Sequence, residues 1–122
     1  MKAFLFLAAF ILFPLAKSNA QTAAYLCSQT GAYGYCYGNS NVNGCAYNMC
    51  VKYGGTSPYS VFSTSSKGYG ALVVGTGSNG VRVIGASGGY SSGADAVNRA
   101  KNECISRGGQ NIYVADTWND QN

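Results

Sequence analysis

The feature that most constrains this chain is an internal repeat, which appears when the sequence is compared with itself at an offset of 54 positions. Nine identities fall at a Gly-rich strand end, on one face of a helix ending in Cys, and at a Gly-Gly pair. A duplicated unit of this kind decides how the rest of the chain is interpreted, because neighbouring units bury a shared core. The matched pairs are Gly31 with Gly85, Ala32 with Ala86, Gly34 with Gly88, Ala46 with Ala100, Asn48 with Asn102, Cys50 with Cys104, Gly54 with Gly108, Gly55 with Gly109, and Tyr59 with Tyr113.

The first half of the repeat predicts a hairpin, a helix and a third strand. Alternation of aromatic and small residues predicts a hairpin over residues 23–38. Apolar residues at helical spacing predict a helix from Val42 to Tyr53, stopped by a Gly-Gly pair. Asn39 or Asn41 caps this helix, and residues 58–64 predict the third strand.

The second half predicts the same order of elements. Turn chemistry separates strands over residues 69–75 and 81–86. Ser92 and Asp95 fit a capping box at the start of the second helix. Gly108 and Gly109 end that helix, residues 112–115 predict the last strand, and residues 118–122 predict a polar tail. The buried stripe of the helix is predicted at Ala96, Val97, Ala100, Cys104 and Ile105.

These elements predict an α+β fold with two ββαβ-like repeats, at about residues 23–66 and 67–117, in a single domain. We expect one antiparallel sheet of about six strands, with both helices on one face. A domain of about 100 residues has a thin core, so disulfide bonds should matter to its stability.

The first 20 residues predict a secretory signal peptide. Lys2 gives a positive start, Ala3 to Ala16 is almost continuously apolar, and Ser18 to Ala20 ends in small residues. The mature chain, residues 21–122, is therefore expected to be secreted or periplasmic and to have no membrane span. Cleavage lowers the formal net charge from +4 to +2. The basic residues are scattered, which argues against nucleic-acid binding.

The duplicated pattern resembles the family called domain of unknown function 4189. The resemblance rests on hairpins rich in Gly and aromatics, helices ending in Cys-x-x-x-Gly-Gly, and the stretch from Gly70 to Val74, in a short exported chain. It covers roughly residues 23–117 and implies no assigned chemistry. The family's disulfide pattern does not carry over, because places where members usually hold Cys are occupied here by Ser57 or Pro58, Asn111 or Ile112, and Tyr69.

Five Cys residues remain after cleavage, and an oxidising compartment favours disulfides. Pairing four of five allows about 15 arrangements. A turn centred on Gly31 and Ala32 would place Cys27 opposite Cys36. Equivalent helix ends would bring Cys50 to Cys104. We therefore predict these two bridges, with Cys45 as the free thiol.

Catalysis is not expected. The chain has no His, which excludes Ser-His-Asp and Cys-His systems and His-ligated zinc. Glu103 and Asp116 are the only conceivable carboxylate pair, and both are interpreted as solvated. The Gly75–Gly80 stretch matches G-x-G-x-x-G, but a strand follows it, so it predicts a hairpin turn. We expect no metal, and no cofactor.

Tyr33, Tyr35 and Tyr37 share one strand face, with Leu26 on the same face of the partner strand. Two interpretations remain open: a wall of the core, and an exposed platform for binding. A pure core role should act on both halves, because both helices need a wall to pack against. The repeat offset instead aligns these tyrosines with small residues, and this asymmetry keeps a binding role open. The aligned residues are Ser87, Gly89 and Ser91.

The sequence thus predicts a secreted, non-catalytic, disulfide-stabilised domain. It would bind an extracellular or periplasmic protein or polysaccharide, or serve a structural role outside the cytoplasm. One alternative is a carbohydrate-binding module that uses the face formed by Tyr33, Tyr35 and Tyr37, which we call the Tyr strip. Another is a small secreted inhibitor or effector.

Overall fold

The fold is seen in a computed structural model that describes residues 21–38 and 41–120. The signal-peptide prediction and Asn39 lie outside these residues. Two helices and six strands follow the same ββαβ order in each half of the chain. They are β1 Thr22–Cys27, β2 Ala32–Tyr37, α1 Val42–Lys52, β3 Tyr59–Thr64, β4 Gly68–Thr76, β5 Arg82–Tyr90, α2 Gly93–Ser106 and β6 Gln110–Asp120.

The α+β class is confirmed, but the single six-stranded sheet is wrong. Within the described residues the strands form two antiparallel three-stranded sheets: sheet 1 in the order β2-β1-β3 and sheet 2 in the order β5-β4-β6. The helices do not share a face either. The two sheets pack face to face, α1 covers the outside of sheet 1 through β1 and β2, and α2 covers the outside of sheet 2 through β4 and β5.

The central strands explain this layering, because each is apolar on both faces. In β4, Leu72 and Val74 join the core between the sheets, while Ala71 and Val73 pack against α2. In β1, Leu26 points into the same central core, while Ala23 and Tyr25 pack on the side of α1. A strand buried on both faces needs a layer on each side. A single sheet with both helices on one face would leave its other apolar face exposed to water.

Both helices lie unusually close to their sheets, and glycine permits the approach. A Cβ added at Gly34 would lie against the Ala46 carbonyl oxygen and 2.6 Å from the Cys50 amide nitrogen. A Cβ at Gly85 would lie against the Ala100 carbonyl oxygen and 3.0 Å from the Cα of Cys104. These neighbours are helix backbone, which cannot move aside as a flexible side chain can.

These contacts correct the alignment of the two halves. Gly34 and Gly85 meet equivalent helix positions, so the second strands correspond at an offset of 51, although the helices correspond at 54. The counterparts of the Tyr strip are therefore not Ser87, Gly89 and Ser91. An offset error of three residues inverts the face of a strand. The residues that share the face and register of the strip are Ile84, Ala86 and Gly88.

The helix ends follow the sequence closely. The Asn41 side chain accepts a hydrogen bond from the Gly44 amide at 3.1 Å, and Ser92 Oγ accepts one from the Asp95 amide at 3.1 Å. Each predicted stripe is wrong at its last residue. Tyr53 is 62% exposed and Ile105 is 54% exposed, because the buried positions run through Val42, Ala46 and Cys50 in α1 and through Ala96, Ala100 and Cys104 in α2.

Both predicted disulfides are wrong. The chain turns over residues 28–31, so Cys27 pairs with Ala32 in the hairpin and Cys36 lies opposite Ala23. Cys50 and Cys104 are separated by both sheets, since their helices cover opposite outer faces. The disulfide bond joins Cys36 to Cys45, which was expected to be the free thiol, and its two Cα atoms are 6.0 Å apart. It ties β2 to the first turns of α1.

The predicted polar tail is also wrong over the residues that are described. Strand β6 continues to Asp120, where Trp118 is buried beside the central core. Asp120 is buried as well, and its Oδ2 accepts a hydrogen bond from Gln21 Nε2 at 2.9 Å. The end of β6 in sheet 2 thereby lies against the start of β1 in sheet 1.

Candidate binding cleft

The Tyr strip lies on the inner face of sheet 1, at the edge where β2 crosses sheet 2. Tyr33 pairs directly with Leu26, so the predicted shared face is confirmed. Tyr33 and Tyr35 are half-buried against the central core, and Tyr37 is 41% exposed. The strip is therefore a wall of the core along one side, with its edge open to solvent.

Three tyrosines and Trp118 form one aromatic row. The ring of Tyr37 lies nearly parallel to Trp118, with centroids 4.6 Å apart, and Tyr35 contacts the same indole at 5.8 Å. Tyr33 continues the row 6.4 Å from Tyr35. Gly70 lies directly under the indole, where any side chain would collide with it. Trp118 thus covers the Tyr37 end of the row and leaves the Tyr33 end available.

A partly buried hydrogen bond fixes the middle of the aromatic row. The Tyr35 hydroxyl donates to Asp116 Oδ2 at 2.8 Å, joining β2 to β6 across the two sheets. Burial, then the bond to Asp116 and its negative charge, raise the pKa of Tyr35 above its ordinary value of 10. Tyr35 therefore remains a neutral donor over the whole physiological range.

An open cleft of about 430 Å³ begins at the Tyr33 end of the row. Its walls come from three elements: Tyr33 and Tyr35 from β2, Met49 and Tyr53 from the last turns of α1, and Arg82 from the start of β5. We call this the tyrosine cleft. It combines flat apolar walls with a few convergent polar groups, as small-ligand sites do.

Arg82 connects the two halves of the chain at the cleft. Its Nη1 donates to the Gly31 carbonyl oxygen at 2.9 Å, and its guanidinium carbon lies 5.3 Å from the Tyr33 ring centroid. The ring is therefore held by a cation–π contact on one side. Burial, with the neighbouring Tyr113 hydroxyl, raises the pKa of Tyr33, and the positive charge of Arg82 opposes this rise.

A second depression, of about 640 Å³, lies at the start of α2. It is bordered by Tyr69, Val97 and the backbone of Gly93, with Trp118 at its floor. Its walls are mostly apolar and no charged side chain lines it. Because the tyrosine cleft combines flat aromatic walls with the Arg82 guanidinium, whereas no charged side chain lines this depression, we take the tyrosine cleft as the candidate site.

The carboxylates that might have suggested catalysis are engaged elsewhere. Asp116 accepts from Tyr35, and Glu103 pairs with Arg99 at 2.9 Å and Arg107 at 3.0 Å on the surface of α2. The Gly-rich stretch between β4 and β5 forms the turn predicted for it, as the Gly80 amide donates to the Gly77 carbonyl oxygen at 2.9 Å. Across residues 21–38 and 41–120, no three potential metal ligands cluster.

The sequence predicts Tyr33 and Tyr35 as candidate binding residues and does not predict the rest of the cleft. The same patterns place Met49 inside the first helix, Tyr53 at its end and Trp118 in a polar tail. Arg82 was one of several scattered basic residues. Arg82 differs from the other basic residues only in its place at the start of a strand that faces the first hairpin. This place is known only once the arrangement of the two sheets is known.

No protein-family model, no curated protein and no solved structure matches this chain. The resemblance to domain of unknown function 4189 therefore stays a prediction from the order of motifs. In the part of the chain that the structure describes, neither helix is long and apolar enough to cross a membrane.

Proposed function

We propose that this chain is an exported, non-catalytic binding domain whose tyrosine cleft holds a segment of polysaccharide outside the cytoplasm. The observation that carries the proposal is the convergence of Tyr33, Tyr53 and Arg82, from three separate elements, on one open cleft. The disulfide between β2 and α1 supports an oxidising location, and it fixes two of the three elements relative to each other.

The chemistry of the cleft suits sugar rings. A sugar presents C–H groups on its faces and hydroxyls at its edge, so it needs flat aromatic surface beside hydrogen-bonding groups. Tyr offers both at low cost in conformational entropy. Arg82 adds donors at the rim, beside the exposed ring of Tyr53. Because Trp118 already stacks on the ring of Tyr37, we place the site in this cleft and not on a platform made of all three strip residues.

Binding to insoluble polysaccharides tests the proposal. Residues 21–122 are incubated with cellulose, chitin or peptidoglycan, and protein lost from solution is measured. We expect retention on at least one polymer, weakened about fivefold by Tyr53→Ala, because a ring contact contributes about 1 kcal/mol. Tyr53 is mostly exposed, so its removal should leave the melting temperature nearly unchanged.

Tyr47→Ala is the matched control. Tyr47 lies on the same helix, is 44% exposed and packs on Tyr25, with ring centroids 5.9 Å apart, outside the cleft. It should bind like the unaltered chain. Retention on none of the polymers, or equal loss in both variants, would contradict the proposal and leave the inhibitor or effector alternative as the better hypothesis.

A further inference from the structure

Two cysteines outside the disulfide bond lie in contact under the last turn of α1. The Sγ atoms of Cys27 and Cys50 are 2.8 Å apart, and both residues are fully buried. A disulfide bond is about 2.05 Å long, so the two atoms need to approach by less than about 1 Å to bond. Neither is in the Cys36–Cys45 bond, so the pair is free to react.

The surroundings are shaped to hold both sulfur atoms. A Cβ at Gly55 would lie against the Cys27 sulfur and 2.7 Å from the Cys50 carbonyl oxygen. The glycine that ends α1 therefore also leaves room for the sulfur pair. Cys50 Sγ is further placed by the Ala32 carbonyl oxygen, 3.4 Å away.

The second half of the chain supplies an internal comparison. Cys104 stands in α2 as Cys50 does in α1, and its Sγ lies 3.9 Å from the Val83 carbonyl oxygen, as Cys50 faces Ala32. The position that faces Cys104 from the first strand of its hairpin is Gly75, whose added Cβ would be 3.1 Å from the Cys104 sulfur. The second half therefore has Gly75 at the position that Cys27 occupies in the first half, and Cys104 has no cysteine to pair with.

We propose that the exported protein carries a second disulfide bond, Cys27–Cys50, and that Cys104 is its single free thiol. The two bonds would then tie both ends of α1 to the first hairpin, one at Cys45 and the other at Cys50. In the reaction, each thiol loses a proton and the pair loses two electrons. A disulfide of the export compartment, in a small molecule or an oxidoreductase, accepts both electrons and leaves as two thiols.

The timing of the reaction follows from burial. Burial and the neighbouring Cys27 raise the pKa of Cys50 to about 12, and the reactive species in exchange is the thiolate. An external disulfide also has no access to a fully buried sulfur. The bond is therefore formed before α1 closes on the hairpin. A chain folded in the reduced state should oxidise only as fast as α1 opens.

The test is to count and map the thiols of residues 21–122 made with a signal peptide in an oxidising compartment. The protein is denatured with iodoacetamide and no reductant, and its intact mass is measured. We expect one alkylated thiol. Chymotrypsin should cut at Tyr33, Tyr35, Tyr37 and Tyr47, which separate all four cysteines of the first half, whereas trypsin has no site between Cys27 and Cys50. The digest should contain the Cys27–Cys50 and Cys36–Cys45 linkages.

Two variants give matched controls. Cys104→Ala should leave no alkylated thiol, while Cys27→Ala should leave two, at Cys50 and Cys104. Three alkylated thiols in the unaltered protein, or Cys27 linked to any other cysteine, would overturn the proposal. Because the unaltered chain provides the primary measurement, a variant that fails to fold does not affect the result.

Discussion

The two halves of this chain follow one backbone plan and stabilise it with different chemistry. In the first half, the inner face of β2 carries Tyr33 and Tyr35, where β5 carries Ile84 and Ala86. The first helix is bonded to its sheet through sulfur at Cys36, whereas Ser87, the residue at that position in the second half, donates a hydrogen bond to the Ala96 carbonyl oxygen at 2.6 Å.

The difference lies in how much apolar core each sheet contributes and in where the aromatic residues are placed. Sheet 2 is centred on β4, a continuous apolar strand whose Leu72 and Val73 fill both faces. Sheet 1 buries smaller side chains, Ala23, Ala24 and Ala32 beside Leu26 and Cys27, so it contributes less apolar core and is also held by the Cys36–Cys45 bond. Tyr33 and Tyr35 lie on its edge strand, where they line the tyrosine cleft.

The largest expected effect concerns the glycines under the helices. Gly34→Ala and Gly85→Ala should each destabilise the fold by about 3 kcal/mol, because the new methyl group meets helix backbone. Thermal and urea unfolding of both variants measure this. Gly93→Ala is the control, since its Cβ would meet only Tyr69 at 3.6 Å. A large loss in one variant and none in the other would show that the two positions are not equivalent.

The disulfide gives the next largest effect. Replacing Cys36 and Cys45 together by Ala opens a loop of sequence separation 9 and should cost about 2.5 kcal/mol in the chain-entropy model. Cys104→Ala removes a buried thiol from the second half without opening a loop, and we expect about 1 kcal/mol. Urea unfolding of both proteins without reductant makes the comparison. Equal losses would mean that the first half does not depend on its covalent bond.

Sequence reasoning found the elements because their signals are local. Alternation identified the strands, helical spacing identified the helices, and Gly-Gly pairs marked their ends. The register of the hairpin failed because the turn lies at residues 28–31, two positions before the predicted centre. That error moved the partner of Cys27 by four residues, an even number, so every side chain kept its face while the disulfide was assigned wrongly.

The layering and the cleft required information that a local pattern does not contain. Alternation shows that Leu72 and Val73 point to opposite faces, but it does not say what covers either face. The β2 tyrosines were found from their own strand, whereas Arg82 and Trp118 come from the second half and reach β2 only because the sheets stack. The fixed offset of 54 failed for the first two strands of each half. Compared with the first half, the second half has three more residues at its hairpin turn and three more before its helix.

Tyr35 tests whether the aromatic row is structural at its centre. Tyr35→Ala should cost about 2 to 3 kcal/mol, because the half-buried ring packs on Trp118 and the central core. Tyr35→Phe keeps the ring and removes the bond to Asp116, and should cost about 1 kcal/mol. Asp116→Asn is the matched partner variant for the unfolding measurement. An unchanged stability in Tyr35→Ala would show that the first half does not use its tyrosines as core.

The smallest expected effect is a dependence of stability on alkaline pH. Burial, the hydrogen bond to Asp116 and its charge hold the pKa of Tyr35 above 10 in the folded chain, while the unfolded chain has the ordinary value. Below pH 10 Tyr35 is neutral in both states and its contribution is fully present. As the pH rises past 10, the unfolded chain releases the proton first, so the stability falls until the folded pKa is passed. Urea unfolding between pH 8 and about pH 11 should therefore show a steeper decline in the unaltered protein than in Tyr35→Phe, in which this proton is absent. Every other side chain is the same in the two proteins, so contributions unrelated to Tyr35 cancel in the difference between the two curves. Parallel curves would mean that the bond between the halves at Asp116 does not distinguish the phenol from the phenolate.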